Sequence, residues 1–164
     1  MDFVSEPLNE RHDRTGLQLR PCLDGWLRDH ALHAAAMHTG RTFVWHAGDA
    51  VVRAYFTLAA HLVAREEISR RLARGSPRTI PAILLARLAL ARDLQGQGRG
   101  AELLRDALSR AVAADRQAAA RLVVVDAVDD QSASFSRHHG FKPIAESSRR
   151  LVQKMCDIEL VLAR

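Results

Sequence analysis

An α+β fold, a sheet wrapped by helices, is the class this chain of 164 residues predicts, and three observations predict it. Short β-branched and aromatic runs alternate with longer runs whose apolar residues recur every three or four positions. The runs follow the order β, α, β, β, β, α, β, α, β, β, without repeats or a linker. An apolar strand also passes through a glycine-rich turn straight into an amphipathic helix, over residues 83–114.

Pro7 to Gly16 is polar and charged, with Arg11, His12 and Arg14, and reads as an extended first segment. Leu23 to Met37 carries Leu23, Trp26, Leu27, His30, Ala31 and Ala34 at helical spacing, and Gly40 ends it. Arg41 to Ala47 and Val51 to Ala59 form a hairpin turned at Gly48-Asp49. Arg65 to Arg78 is a charged connection with room for a short helix, closed by Gly75 and Pro77. Ile83 to Leu90 is a central apolar strand, and Gly98 to Ala114 the helix after the glycine turn. Arg121 to Ala127 is a buried strand, and Asp129 or Asp130 caps a helix to His138. Phe141 to Ala145 and Arg150 to Met155 make a last hairpin, with a helical tail from Asp157.

At this length residues 1–164 form one domain able to bury a core without staples. Hydrophobic residues make up 48% and charged residues 26%, which excludes a disordered chain. No apolar run reaches bilayer length, and the start lacks a basic and apolar secretory leader. Cys22 and Cys156 lack metal-ligand spacing; burial is expected for both, in a reducing cytoplasm. His30, His33 and His38 read as helix-surface histidines without a converging carboxylate, so no metal is expected. His138-His139 reads as a helix end that favours cations.

Net charge is +5 and the isoelectric point about 10.2, and all basic residues except Lys142 and Lys154 are arginine. Arginine pairs with phosphate through two parallel bonds, so an acidic partner is expected, RNA first. A high-GC genome would raise arginine and alanine in the same way.

The turn holds Gly96, Gly98 and Gly100. It leaves backbone N–H groups free at the positive end of a helix dipole, a place for a diphosphate. Side chains at Gly98 or Gly100 would keep the backbone from the anion. A tight packing turn is the alternative. A Walker loop is excluded because Arg99-Gly100 follows Gly98, and a dinucleotide fingerprint because no glycine stands at 101.

Gln95-x-x-Gly98-x-Gly100 resembles the acetyl-CoA loop of the GNAT superfamily of N-acetyltransferases. Ile83 to Leu90 is similar to that family's fourth strand, and Asp130 to Phe141 to its late helix. The resemblance implies a mixed, mostly antiparallel twisted sheet with splayed central strands. It implies acetyl-CoA as co-substrate, with Leu88, Ala89 and Leu90 offering backbone groups to the pantetheine arm. Gln95, Gly96, Gln97, Gly98, Arg99 and Gly100 would hold the diphosphate, with Phe135 beside the cofactor.

The family's usual tyrosine acid falls on Ser136, a hydroxyl on a shorter arm that would act through a bridging water. Tyr55 is the only tyrosine; it is a substituted acid, a wall of the acceptor site, or a core aromatic. Leu88 and Leu90 are not acidic, so the strand shows no general base, and an acceptor amine of low pKa needs little help.

Asp24-x-Trp26-Leu27, Arg41-Thr42-Phe43-Val44, Tyr55-x-Thr57-Leu58-Ala59 and Ile80-Pro81-x-Ile83-Leu84-Leu85-x-Arg87-Leu88 resemble one branch of that superfamily. These are toxins of toxin–antitoxin pairs that acetylate aminoacyl-tRNA and stop translation. The branch implies a cytoplasmic homodimer neutralised by a ribbon-helix-helix antitoxin. By the same resemblance Arg87 lines the acceptor cleft. Arg70, Arg71, Arg74 and Arg78, the densest basic cluster, are the candidates for tRNA phosphates. The alternatives are a small-amine or protein N-acetyltransferase, and an acetyl-CoA-binding protein weakened in catalysis by Ser136. Leu17 to Cys22 departs from the branch's pattern.

Overall fold

In the computed structural model, which describes residues 2–164, the β-rich runs become seven strands. They are β1 (Val4–Pro7), β2 (Arg41–His46), β3 (Ala54–Ala64), β4 (Thr79–Leu90), β5 (Leu122–Asp126), β6 (Lys142–Pro143) and β7 (Arg150–Lys154). Six helices accompany them: α1 (Pro21–Asp29), α2 (Ala31–Ala36), α3 (Arg70–Ala73), α4 (Arg99–Gln117), α5 (Asp130–His138) and α6 (Met155–Leu162). The sheet order is β1-β2-β3-β4-β5-β7-β6. β1/β2, β2/β3, β5/β7 and β6/β7 pair antiparallel, and β4/β5 pair parallel. Among the described residues no helix is long and apolar enough to cross a membrane. The start of the 1–164 span, Met1, lies outside the described residues.

The chain divides into two compact units, Met1–Ala59 with Ala86–Ala107, and Ala60–Leu85 with Leu108–Arg164. In the first, Leu17, Leu27, Ala31, Val44, Val52, Tyr55, Ala89 and Ala91 form a buried cluster, with Leu23, Trp26 and Leu94 packed against it. Burying a side chain of the Leu or Val class contributes about 1.5–3 kcal/mol, so this cluster anchors α1 and the end of β4. In the second unit, Val63, Ile68, Ala73, Ile80, Ala82, Leu122, Val124 and Val152 form the core. Asp126 and Arg150, cross-strand neighbours, add a bidentate ion pair at 2.7 and 2.8 Å.

Several boundaries differ from the sequence reading. The first strand is Val4–Pro7 rather than Pro7–Gly16, because Phe3 stacks on Trp45 and Glu6 is held by two histidines. The helix expected over Leu23–Met37 is two helices broken at His30, whose φ of −125° leaves the helical region. Side-chain periodicity runs on across that break and does not reveal it. β3 starts at Ala54, not Val51, because Val51 makes a parallel bridge with Asp13 and Val52 N–H donates to Asp13 O. Asp129 is the cap of α5, accepting from Ser132 N–H at 2.8 Å.

Cys22 and Cys156 are exposed, contrary to the burial expected of them. Both occupy the first turn of a helix, α1 and α6, on the side turned to solvent. His30, His33 and His38 are exposed as expected.

Candidate functional site

The glycine turn is an exposed loop that opens the nineteen-residue helix α4. Gly96 and Gly98 have φ of +76° and +77°, the left-handed region in which a Cβ is strained. Open space surrounds both, so backbone conformation rather than crowding demands glycine. Gln95 Nε2 donates to Leu90 O at 3.0 Å, and Gln97 Nε2 to Asp93 O at 2.9 Å. These side chains fold the loop back onto the end of β4 and leave its amides ahead of the helix. Arg99 pairs with Glu102 across one turn at 2.8 Å, and Gly100 lies inside α4. The chemistry of this loop suits a diphosphate: a glycine-rich main chain at the positive end of a helix dipole, and no acidic side chain within Gln95 to Gly100, although Gln95 N–H itself donates to Arg92 O at 3.2 Å.

The parallel register of β4 with β5 spans Ala82↔Leu122 to Leu85↔Val125, while β4 itself continues to Leu90. Alternation puts Arg87 and Ala89 on one face of that extension, and Leu88 and Leu90 on the other. Ala89 is buried in the first unit's core. The Arg87 guanidinium lies 3.9 Å from the centre of the Trp26 ring. Trp26 in turn stacks on Tyr55, with 6.2 Å between ring centres and 14° between planes. Tyr55 is fully buried and its hydroxyl donates to Leu23 O at 2.8 Å. Burial pushes the phenol up, so Tyr55 is a poor proton source and serves as the floor of this stack.

In the second unit, Ser136 sits on α5 and is 6% exposed. Phe135, beside it, packs on His139 at 4.6 Å between ring centres. Desolvation, then the neighbouring His138, pushes His139 down from its ordinary range. The cationic helix end expected at His138-His139 is thus disfavoured at His139 by burial and by the neighbouring His138. Gly140 has φ of +96°, the left-handed region that favours glycine, and a Cβ there would push on the end of the Gln153 side chain, 2.8 Å away.

Of the predicted basic cluster, Arg70, Arg71 and Arg74 line one open cavity of about 590 Å³ together with Lys154. Arg65, Arg70 and Arg74 line a second, of about 490 Å³. Shared Arg70 and Arg74 make these one basic trough. Arg78 is exposed but lines neither. Lys154 and Arg65 escaped the sequence reading, because strand β7 and the turn after β3 bring them beside α3.

A second cluster had no sequence signal at all. Buried His12 and His46 each place Nε2 2.8 Å from Glu6 Oε1. His12 Nδ1 accepts from Asn9 N–H, and His46 Nδ1 from Gly48 N–H, both at 3.0 Å. The ring hydrogens therefore sit on the Nε2 atoms and are donated to the carboxylate. Metal-bound histidines have the reverse pattern, with the second nitrogen donating. The trio is an internal hydrogen-bond clasp on β1 and β2.

No protein-family model matches the chain. A tRNA-acetylating toxin of Mycobacterium tuberculosis is 38% identical over 122 residues, which are 74% of this chain and 73% of that protein. The structure of AtaT complexed with acetyl-methionyl-tRNAfMet matches with a TM-score of 0.88 at 25% identity, over 98% of this chain and 99% of that one. The crystal structure of AtaTR bound with AcCoA matches with a TM-score of 0.83 at 25% identity, over 98% of each chain.

Proposed function

The chain belongs to the family of tRNA-acetylating GNAT toxins, and on that premise we propose that it uses acetyl-CoA to acetylate the α-amine of an aminoacyl-tRNA and so blocks translation. The observation that carries this reading is the exposed Gln95–Gly98 loop, with two left-handed glycines, at the head of α4. Relatives of known structure support its ligands: one is complexed with acetyl-methionyl-tRNA and another is bound with acetyl-CoA.

Acetyl-CoA brings an activated thioester. The amides that follow Gln95, from Gly96 to Gly100, grip its diphosphate while the Gln95 side chain braces the loop, and the backbone of Leu88 to Leu90 aligns the pantetheine arm. An α-amine has a pKa near 7.7–8.0 before esterification lowers it further, so much of it is neutral at physiological pH. That fits a β4 without an acidic residue between Ala86 and Leu90. Ser136, with Phe135 at its side, supplies the hydroxyl through which water protonates the departing thiolate. A thiol pKa near 8.5 makes this a modest demand. The trough of Arg70, Arg71, Arg74 and Lys154 holds tRNA phosphates. We further propose one acetyltransferase domain over residues 1–164, a cytoplasmic homodimer, and neutralisation by a ribbon-helix-helix antitoxin.

Cell-free translation with purified protein and acetyl-CoA, followed by mass analysis of charged tRNA, tests the proposal. Arrest with a 42-dalton gain on the aminoacyl group, the mass of one acetyl substituent, is expected. Tight coenzyme A binding without that gain would establish the catalytically silent alternative, and acetylation of small amines alone would establish the other.

A further inference from the structure

We propose that Arg87, seated over the Trp26 ring, is the receptor for a phosphodiester of the nucleic-acid acceptor, next to the ester that carries the reacting amine. The inference rests on the aminoacyl-tRNA reading and specifies how that substrate is held.

Among the described residues Arg28 pairs with Asp29, Arg53 with Asp49, Arg99 with Glu102, Arg149 with Asp130 and Arg150 with Asp126. Arg87 does not. It is half-buried, and among the described residues its recorded contact is the indole face of Trp26. A guanidinium that meets an aromatic face with its cation keeps its N–H donors for hydrogen bonds in its own plane. Donors of a half-buried guanidinium that hold no carboxylate are open to a planar or tetrahedral oxyanion, which accepts them two at a time. Burial also pushes the Arg87 pKa down, which a bound anion would reverse.

The platform is rigid from below. Tyr55 stacks under Trp26, and its hydroxyl is bonded to Leu23 O, so α1 and β3 fix the indole before any ligand arrives. Arg87 lies three residues before Leu90, about 10 Å along an extended strand. The acetyl donor places its diphosphate at the loop beyond Leu90, and its thioester end bears no phosphate. An oxyanion at Arg87 therefore comes from the acceptor. In a charged tRNA the phosphodiester nearest the amine joins the last two nucleotides.

The full chain labelled with 5-fluorotryptophan gives two ¹⁹F resonances, Trp26 and Trp45, assigned with Trp45→Phe. The dinucleotide cytidylyl-adenosine should move the Trp26 resonance and leave that of Trp45 in place. Adenosine, which lacks the phosphate, should move neither. Arg87→Lys keeps charge without the plane, and Arg87→Gln removes charge. Both should weaken the dinucleotide at least tenfold and raise KM for charged tRNA, with coenzyme A affinity within twofold of the parent. Unchanged dinucleotide binding in both variants would overturn the site. So would an Arg87-dependent shift of Trp26 produced by coenzyme A alone, which would assign the anion to the donor. Failure of the parent chain to acetylate charged tRNA is a separate result and would remove the functional reading instead.

Discussion

Trp45 donates its indole N–H to Asp106 Oδ2 at 2.7 Å, and Ser5 Oγ donates to the same oxygen, so β1 and β2 are tied to α4. Trp45 is only 6% exposed. Asp106→Ala leaves a buried donor without its acceptor, at a cost of about 1–3 kcal/mol. For a chain of this size that lowers Tm by roughly 2–4 °C per kcal/mol, measurable by calorimetry. Asp106→Asn keeps a carbonyl acceptor and should lose less than half as much.

Gly98→Ala tests the loop. With φ of +77° and no neighbour in reach of a Cβ, the substitution costs about 1–2 kcal/mol of backbone strain. On the proposed cradle, the methyl group would also stand where the diphosphate approaches. Coenzyme A affinity should fall by about tenfold or more, or 1.4 kcal/mol, in titration calorimetry. A variant that binds coenzyme A like the parent would argue against a main-chain cradle.

The clasp of His12 and His46 on Glu6 gives the fold an acid limit. Hydrogen bonds from His12 first, then His46, hold the Glu6 carboxyl below its ordinary 4.5. A depressed native value means that folding favours the carboxylate. Its stabilisation is complete above the unfolded-state pKa and fades as pH drops through the native one. Glu6→Gln should therefore melt below the parent at pH 7, and the gap should close in acid. A gap that stays constant with pH would show that Glu6 acts by shape alone.

Ser136→Ala asks how much the short hydroxyl does. We expect kcat to fall by about tenfold, below the 10²–10⁴ of a well-placed acid, with KM for acetyl-CoA unchanged. Ser136→Tyr restores the longer arm; a rise in kcat over the parent would show the acid step to be limiting in the natural chain.

Arg74 lines both cavities of the basic trough. Arg74→Ala should weaken tRNA binding for every charged species alike. The slope of log affinity against log salt should drop by about one. Arg78→Ala, outside both cavities, should change that slope by less.

The strand, turn and helix of the loop were legible because backbone demands there are local: glycine where φ is positive, apolar alternation before it, helical spacing after it. Arg70, Arg71 and Arg74 were legible for a similar reason, being close neighbours in sequence on α3 and the residue that follows it. Lys154 was not, since only pairing in β7 carries it to α3. The Glu6 clasp needed the β1/β2 register, which no spacing in the chain announces. Tyr55 shows a subtler limit: its strand was foreseen, but its bond to Leu23 depends on how α1 is seated. The break at His30 was hidden because Leu27 and Ala31 stay on the buried side across it.

Both cysteines face solvent at the starts of α1 and α6, and air oxidation could join two copies through them. Such a crosslink would counterfeit self-association on a sizing column. Mass measurements belong in fresh reductant, or with the Cys22→Ser and Cys156→Ser pair, before any stoichiometry is believed.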